Sequence, residues 1–183
     1  MDLHATAEAD TRRWLERAVV GLNLCPFAKA VLVKRQVHVA VTAAEDAAGV
    51  LADLARELDE LLARDAQARD TTLLVIPRGF EDFLAFHDLT ARAERLVRKQ
   101  GLEGVVQVAS FHPRFVFAGE DENDVTNNTN RAPYPTLHLL REASMDRAVA
   151  AFPDAAAIYE TNMDTLRRLG QAGWDALGVG PTA

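Results

Sequence analysis

A chain of 183 residues is long enough for one sizeable core, and its 49% apolar and 26% charged residues exclude general disorder. Its net charge of −7 repels phosphate backbones, which excludes nucleic acid as the expected partner. No run reaches the roughly 18 apolar residues of a bilayer span, so no membrane partner is expected.

Residues 1–14 carry Asp2, Glu8 and Asp10 ahead of any apolar run, unlike a signal peptide. Cys25 is the single cysteine, which rules out an internal disulfide, a CxxC pair and a multi-cysteine zinc site. Both features point to the cytoplasm. Trp14, Leu15, Ala18, Val19 and Leu22 recur at helical spacing, so residues 7–24 read as a helix that Pro26 prevents from continuing. Residues 31–41 are valine-rich and partly alternate, with Val37, Val39 and Val41 on one face of a predicted strand. Thr42 to Glu45 match a capping box ahead of the stripe Val50, Leu51, Leu54, Leu58, Leu61 and Leu62. A β-branched strand follows at 71–76 and ends at Pro77. Phe80, Phe83, Leu89, Ala93, Leu96 and Val97 mark the next helix, with Gly101 just past its end. Residues 105–111 form a third strand, and 115–117 are short enough for a fourth.

Strands alternating with helices favour right-handed crossovers and a largely parallel sheet. Residues 119–135 are polar and long for a connection, which suits a binding loop. Two helices are expected to close the chain. One lies near 144–151. The other starts near Pro153, runs on Ile158, Asn162, Leu166 and Leu169, and stops at Gly170. The expected fold is therefore one α/β domain over 1–183, with a small, mostly parallel sheet, helices packed on it, and extra N- and C-terminal helices. Its ordered core covers about 7–170, and the tail 178–183 is mobile.

Three segments carry the unusual chemistry: Leu22-Asn23-Leu24-Cys25-Pro26-Phe27-Ala28, Ser110-Phe111-His112-Pro113-Arg114-Phe115, and residues 127–142, which read NNTNRAPYPTLHLLRE. With these marks the chain resembles, from Trp14 to about Leu169, a family of uncharacterised bacterial proteins classed as a domain of unknown function. The resemblance implies no activity, so the chemistry rests on the residues.

His112 ends the third predicted strand, where ligands of parallel sheets gather, and can serve as a general base. The plainer role is a hydrogen bond to a loop carbonyl. Arg131, between an asparagine-rich stretch and Pro133-Tyr134-Pro135, offers a planar fork for carboxylate or phosphate. Asn127 and Asn130 can orient such an anion or simply satisfy the loop backbone. Arg114 and Arg78 add candidate anion contacts. Pro77-Arg78-Gly79 precedes a helix whose free N–H groups attract phosphate. His138 sits among Leu137, Leu139 and Leu140, as a core histidine or as a partner of His112. Two histidines are too few for a zinc site, so no metal is assigned. Cys25 is the one candidate thiol nucleophile, although a helix C-terminus disfavours its thiolate.

Three functions compete. One is a hydrolase or transferase acting on a small anionic metabolite, with His112, Cys25 and His138 as catalytic groups. Another is a non-catalytic anion- or metabolite-binding domain. The third is a protein-interaction scaffold. The sequence leaves the cofactor and the oligomeric state open.

Overall fold

The computed structural model describes residues 2–152 and 154–182. The chain begins with α1 (Leu3–Trp14), capped where the Asp2 carboxylate accepts from His4 N. It continues without interruption as a π-helix, Leu15–Val20, whose wider turns place Gly21 N on Glu16 O. Asn23 then takes a left-handed conformation (φ 54°), and the chain reverses. Next come α2 (Ala28–Val33), β1 (Val37–Val41), α3 (Ala47–Leu62), β2 (Thr71–Val75), α4 (Phe83–Lys99) and β3 (Val106–Phe111). A 3-10 segment (Val125–Asn130) leads to β4 (Thr136–Arg141), α5 (Glu142–Ala151) and α6 (Ala155–Ala176).

The α/β class holds, but the sheet is not mostly parallel. Its order is β1-β2-β4-β3. Only β1 and β2 pair in parallel; β4 runs antiparallel to both β2 and β3. The two helical crossovers leave β2 and β3 co-directional but not adjacent. β4 returns through the long loop without a crossover helix, so it enters the gap in the opposite sense. The fourth strand is therefore Thr136–Arg141, and not residues 115–117.

Other boundaries shift for local reasons. Residues 28–33 are helical despite Val31 and Val33, because strand preference depends on packing and Ala28, Ala30 and Leu32 suit a helix. The cap of α3 is Asp46, whose carboxylate accepts from Gly49 N at 2.9 Å, while Thr42 Oγ1 turns the chain before it. Gly170 (φ 68°) breaks α6 as expected, but further helical turns run on to Ala176. The expected helix start at Pro153 lies outside the described residues.

Strand alternation divides the sheet residues between two faces. Ala40, Leu74, Leu137 and Leu139 face α3 and α4, joining Leu54, Leu58, Phe86 and Leu89 in one core cluster. Val39 and Leu73 face the other way, toward Trp14, Leu15 and Ala18 of the N-terminal helices. The tail, expected to be mobile, is held on α1. Arg13 Nε donates to Gly178 O at 2.8 Å, Thr182 N donates to Asp10 Oδ2 at 2.8 Å, and Val179 is buried. Burial alone would raise the Asp10 carboxyl. Hydrogen bonds from Thr182, Tyr134 and Arg13 outweigh that effect and hold it below its ordinary value.

Candidate functional site

The sheet's two faces are closed differently, and this creates the candidate site. Between the N-terminal face and its helical cover lies a cavity of about 750 Å³. Leu73, Ala109, Phe111, His138 and Leu140 form its floor, and Leu15, Val19, Leu24 and Leu32 its wall. The π-helix presents part of that wall, a placement typical of such helices at functional sites.

The cavity is polar at one end. β1 and β2 begin, and the antiparallel β4 ends, at the same edge of the sheet. The segments there contribute Lys34, Gln36 and Asp70 to the lining, and α5 contributes Ser144 and Arg147. Ser144 Oγ donates to Asp70 Oδ1 at 2.6 Å, and Arg147 Nη2 donates to Ser144 Oγ at 2.9 Å. Arg141 lines the same end, but its guanidinium is committed to the carbonyls of Leu61, Arg64 and Arg69.

His138 is the polar group in the floor. It pairs with Leu73 on one side and Ala109 on the other. Its Nε2 lies 2.6 Å from Thr71 Oγ1, which is also 2.7 Å from Leu139 O. A carbonyl cannot donate, so the single hydroxyl proton of Thr71 must point at Leu139 O. Thr71 therefore accepts from His138, which fixes the imidazole proton on Nε2. Nδ1 is left as an acceptor with no partner among the described residues. Burial pushes this histidine down to about 4, so the ring is neutral at physiological pH. Cys25 also lines the cavity, in the turn after the π-helix, with no hydrogen bond to His138 among the described residues. Asn162 of α6 is 5% exposed and donates from Nδ2 to Leu24 O at 2.8 Å, which fixes that turn from above.

The remaining sequence candidates lie elsewhere. His112 is fully buried on the α3/α4 side, the face opposite His138. Its Nε2 donates to Phe80 O at 2.9 Å, its Nδ1 accepts from Arg114 N at 3.0 Å, and it stacks on Phe86. Burial lowers its pKa below the ordinary histidine value. Both ring nitrogens are thus used within the chain. Arg131 Nε donates to Phe115 O at 2.9 Å and its Nη2 to Glu122 O at 2.7 Å. Asn127 accepts from Phe117 N at 2.9 Å and donates to Asp121 O at 2.8 Å. These two side chains fasten the long loop to itself. Asn130 borders the cavity, and its carbonyl accepts from His112 N at 3.2 Å. The Arg114 side chain is exposed. Arg78 is exposed and reaches Glu45 at 3.4 Å, and Asp82 already caps the α4 N-terminus by accepting from Ala85 N. Among the described residues, no group of three or more His, Cys, Asp or Glu is placed to hold a metal ion.

The sequence alone does not mark Thr71, Asn162 or Trp14 as site residues. The only available signal was periodicity, since Asn162 falls on the apolar stripe of Ile158, Leu166 and Leu169.

The three distinctive segments meet at this cavity. Leu24, Cys25 and Phe27 come from the first, Phe111 from the second, and Asn130 and His138 from the third. The profile of a family described as "Protein of unknown function (DUF1415)" matches residues 6–176. The chain belongs to that family. No curated protein and no solved structure matches it. No helix among the described residues is long and apolar enough to cross a membrane.

Proposed function

We propose that this member of the family is a small-molecule-binding protein. Its ligand has an apolar body and an anionic head, and binds in the cavity beneath the π-helix. One observation carries the reading: a cavity of about 750 Å³ with mainly apolar walls and charged groups gathered at one end, a make-up suited to a metabolite. The body packs against Leu15, Val19, Leu73 and Phe111. His138 Nδ1 accepts a hydrogen bond from a hydroxyl or amide of the ligand. Lys34 and Arg147, at the polar end, favour a carboxylate head. This reading keeps a small anionic ligand but moves it from the His112–Arg131 loop, whose polar groups already bond within the chain.

The hydrolase or transferase reading retains one supporting observation, that Cys25 and His138 line the same cavity. A thiol nucleophile needs a base within hydrogen-bond reach, and no such bond joins the two residues. Binding is therefore the better-supported reading, and Cys25→Ser should leave it intact.

Trp14 lines the cavity and Trp174 does not, so a Trp174→Phe variant turns Trp14 into a local probe. Titration with octanoate should change its emission saturably, and octanol should bind more weakly. Ala109→Phe, beside His138 in the floor, should abolish the response. A folded Trp174→Phe protein that gives no saturable response to either compound would show the reading to be wrong.

A further inference from the structure

A second, smaller recess opens at the same sheet edge but on its other side. Its volume is about 180 Å³, and Arg35, Gln36, His38, Arg64 and Arg69 line it. Three guanidinium groups are thus gathered in a chain of net charge −7. Arg69 is only 6% exposed. Its Nη2 donates to Glu57 Oε2 at 3.0 Å, but its buried Nη1 has no hydrogen-bond partner. A buried donor on a charged group without a partner is costly, and is ordinarily satisfied by an ion, a water or a ligand.

Arg35 supplies an independent sign. It ends α2 in the left-handed conformation, φ 57°, with its own N–H on Leu32 O and the Gln36 N–H on Val31 O. Glycine normally occupies that position because a Cβ is strained there. An arginine at this place accepts the strain and projects a cation with no ion pair among the described residues.

Carboxylates do not cancel the charge. Glu60 pairs with Arg64 and Glu57 with Arg69, so two acids answer three guanidiniums. His38 Nε2 lies 3.7 Å from the same Glu57. Beside the recess, Gln36 Nε2 donates to Gln67 O at 3.0 Å and joins the segment before β1 to the loop before β2.

We propose that this recess is a second binding site, for a small oxyanion of phosphate size gripped by Arg35 and Arg64 and backed by Arg69, whose buried Nη1 has no partner within the chain. Guanidinium forks match the oxygen spacing of such anions. The site shares no lining cation with the amphiphile cavity, so the two can be tested separately.

Isothermal titration of the full chain tests it, with ionic strength held constant by sodium chloride. One arm uses inorganic phosphate and the other phenyl phosphate. Saturable 1:1 binding of inorganic phosphate alone identifies a free-anion site; binding of both identifies the terminal phosphate of a larger molecule. Arg35→Gln and Arg64→Gln lie at the surface and should leave the unfolding midpoint without phosphate near that of the wild type. Each should weaken binding by about tenfold or more, the loss typical of one charged hydrogen bond. Arg168→Gln on α6 should titrate like the wild type. Absence of saturable heat with either compound overturns the proposal, as does wild-type affinity in Arg35→Gln.

Discussion

On the α3/α4 face of the sheet, Leu54, Leu58, Leu61, Phe86 and Leu89 are each 0–1% exposed, and long amphipathic helices seal the contact. The opposite face is covered in part by a π-helix and by two helices, α2 and α5, that bury none of their described residues. The same four strands therefore support a dry core on one side and a cavity on the other. A regular apolar stripe can interdigitate with a sheet over its whole length. A π-turn, a tight reversal at Asn23 and a six-residue helix touch the sheet at separate points and leave space between them. Stability is expected to reside mainly on the first face, and the cavity of the proposed ligand lies on the second.

The sharpest way to break this comparison is to truncate the sealed face. Leu54→Ala removes a fully buried side chain from a rigid site that cannot collapse around the gap. The expected cost is about 3–5 kcal/mol, read by urea or thermal unfolding. A cost below about 1 kcal/mol would mean that the α3/α4 side is not the stabilising core.

A smaller effect comes from the floor of the open face. His138 is pushed down to about 4 in the folded chain, against about 6.5 when unfolded. Between those values the unfolded chain takes up the proton first. Stability is therefore lost as pH falls from about 6.5 to about 4, by up to about 3 kcal/mol. His112 is shifted in the same direction, so the comparison must be made against a variant. His138→Gln keeps a donor for Thr71 and removes the titration. Its stability should decline less steeply than that of the wild type across this window. Parallel curves would show that the imidazole is not held neutral by burial.

The two faces also differ in how far the sequence discloses them. The stripes of α3 and α4 repeat every three to four residues, so those helices and their core were legible. β4 is not legible: a fourth strand is expected at 115–117, and the run Leu137, Leu139 and Leu140 around His138 reveals neither a strand nor its neighbours. Pairing order is decided by the three-dimensional return of the chain. Of the sequence candidates, Cys25, Asn130 and His138 line the cavity, whereas the expected convergence of His138 with His112 and Arg131 is not seen, and no sequence spacing reveals which of them share a face. His112 and Arg131 drew attention for sound chemical reasons. Their donors and acceptors, however, are spent on Phe80, Arg114, Phe115 and Glu122, and such loop bonds leave no periodic trace. Asn162 falls on the stripe of the last helix, and nothing in its spacing shows what its amide bonds. It is buried, supporting the turn that carries Leu24 and Cys25.

The smallest expected effect is the most discriminating, because it uses the same chemical change as Leu54→Ala on the other face. Leu32 lies on α2, is partly buried and lines the cavity. Truncating it to alanine creates no new void; it enlarges one that already exists and that solvent or ligand can fill. The cavity contribution to the cost is then small, and only part of the transfer contribution remains. Expected destabilisation is below about 1 kcal/mol, several-fold less than for Leu54→Ala. Octanoate affinity should nevertheless fall, because the ligand loses an apolar wall. A sealed core would give the opposite pattern, with a large stability loss and no change in ligand response. If Leu32→Ala costs as much as Leu54→Ala, the N-terminal face is packed as tightly as the other, and the comparison between the two faces fails.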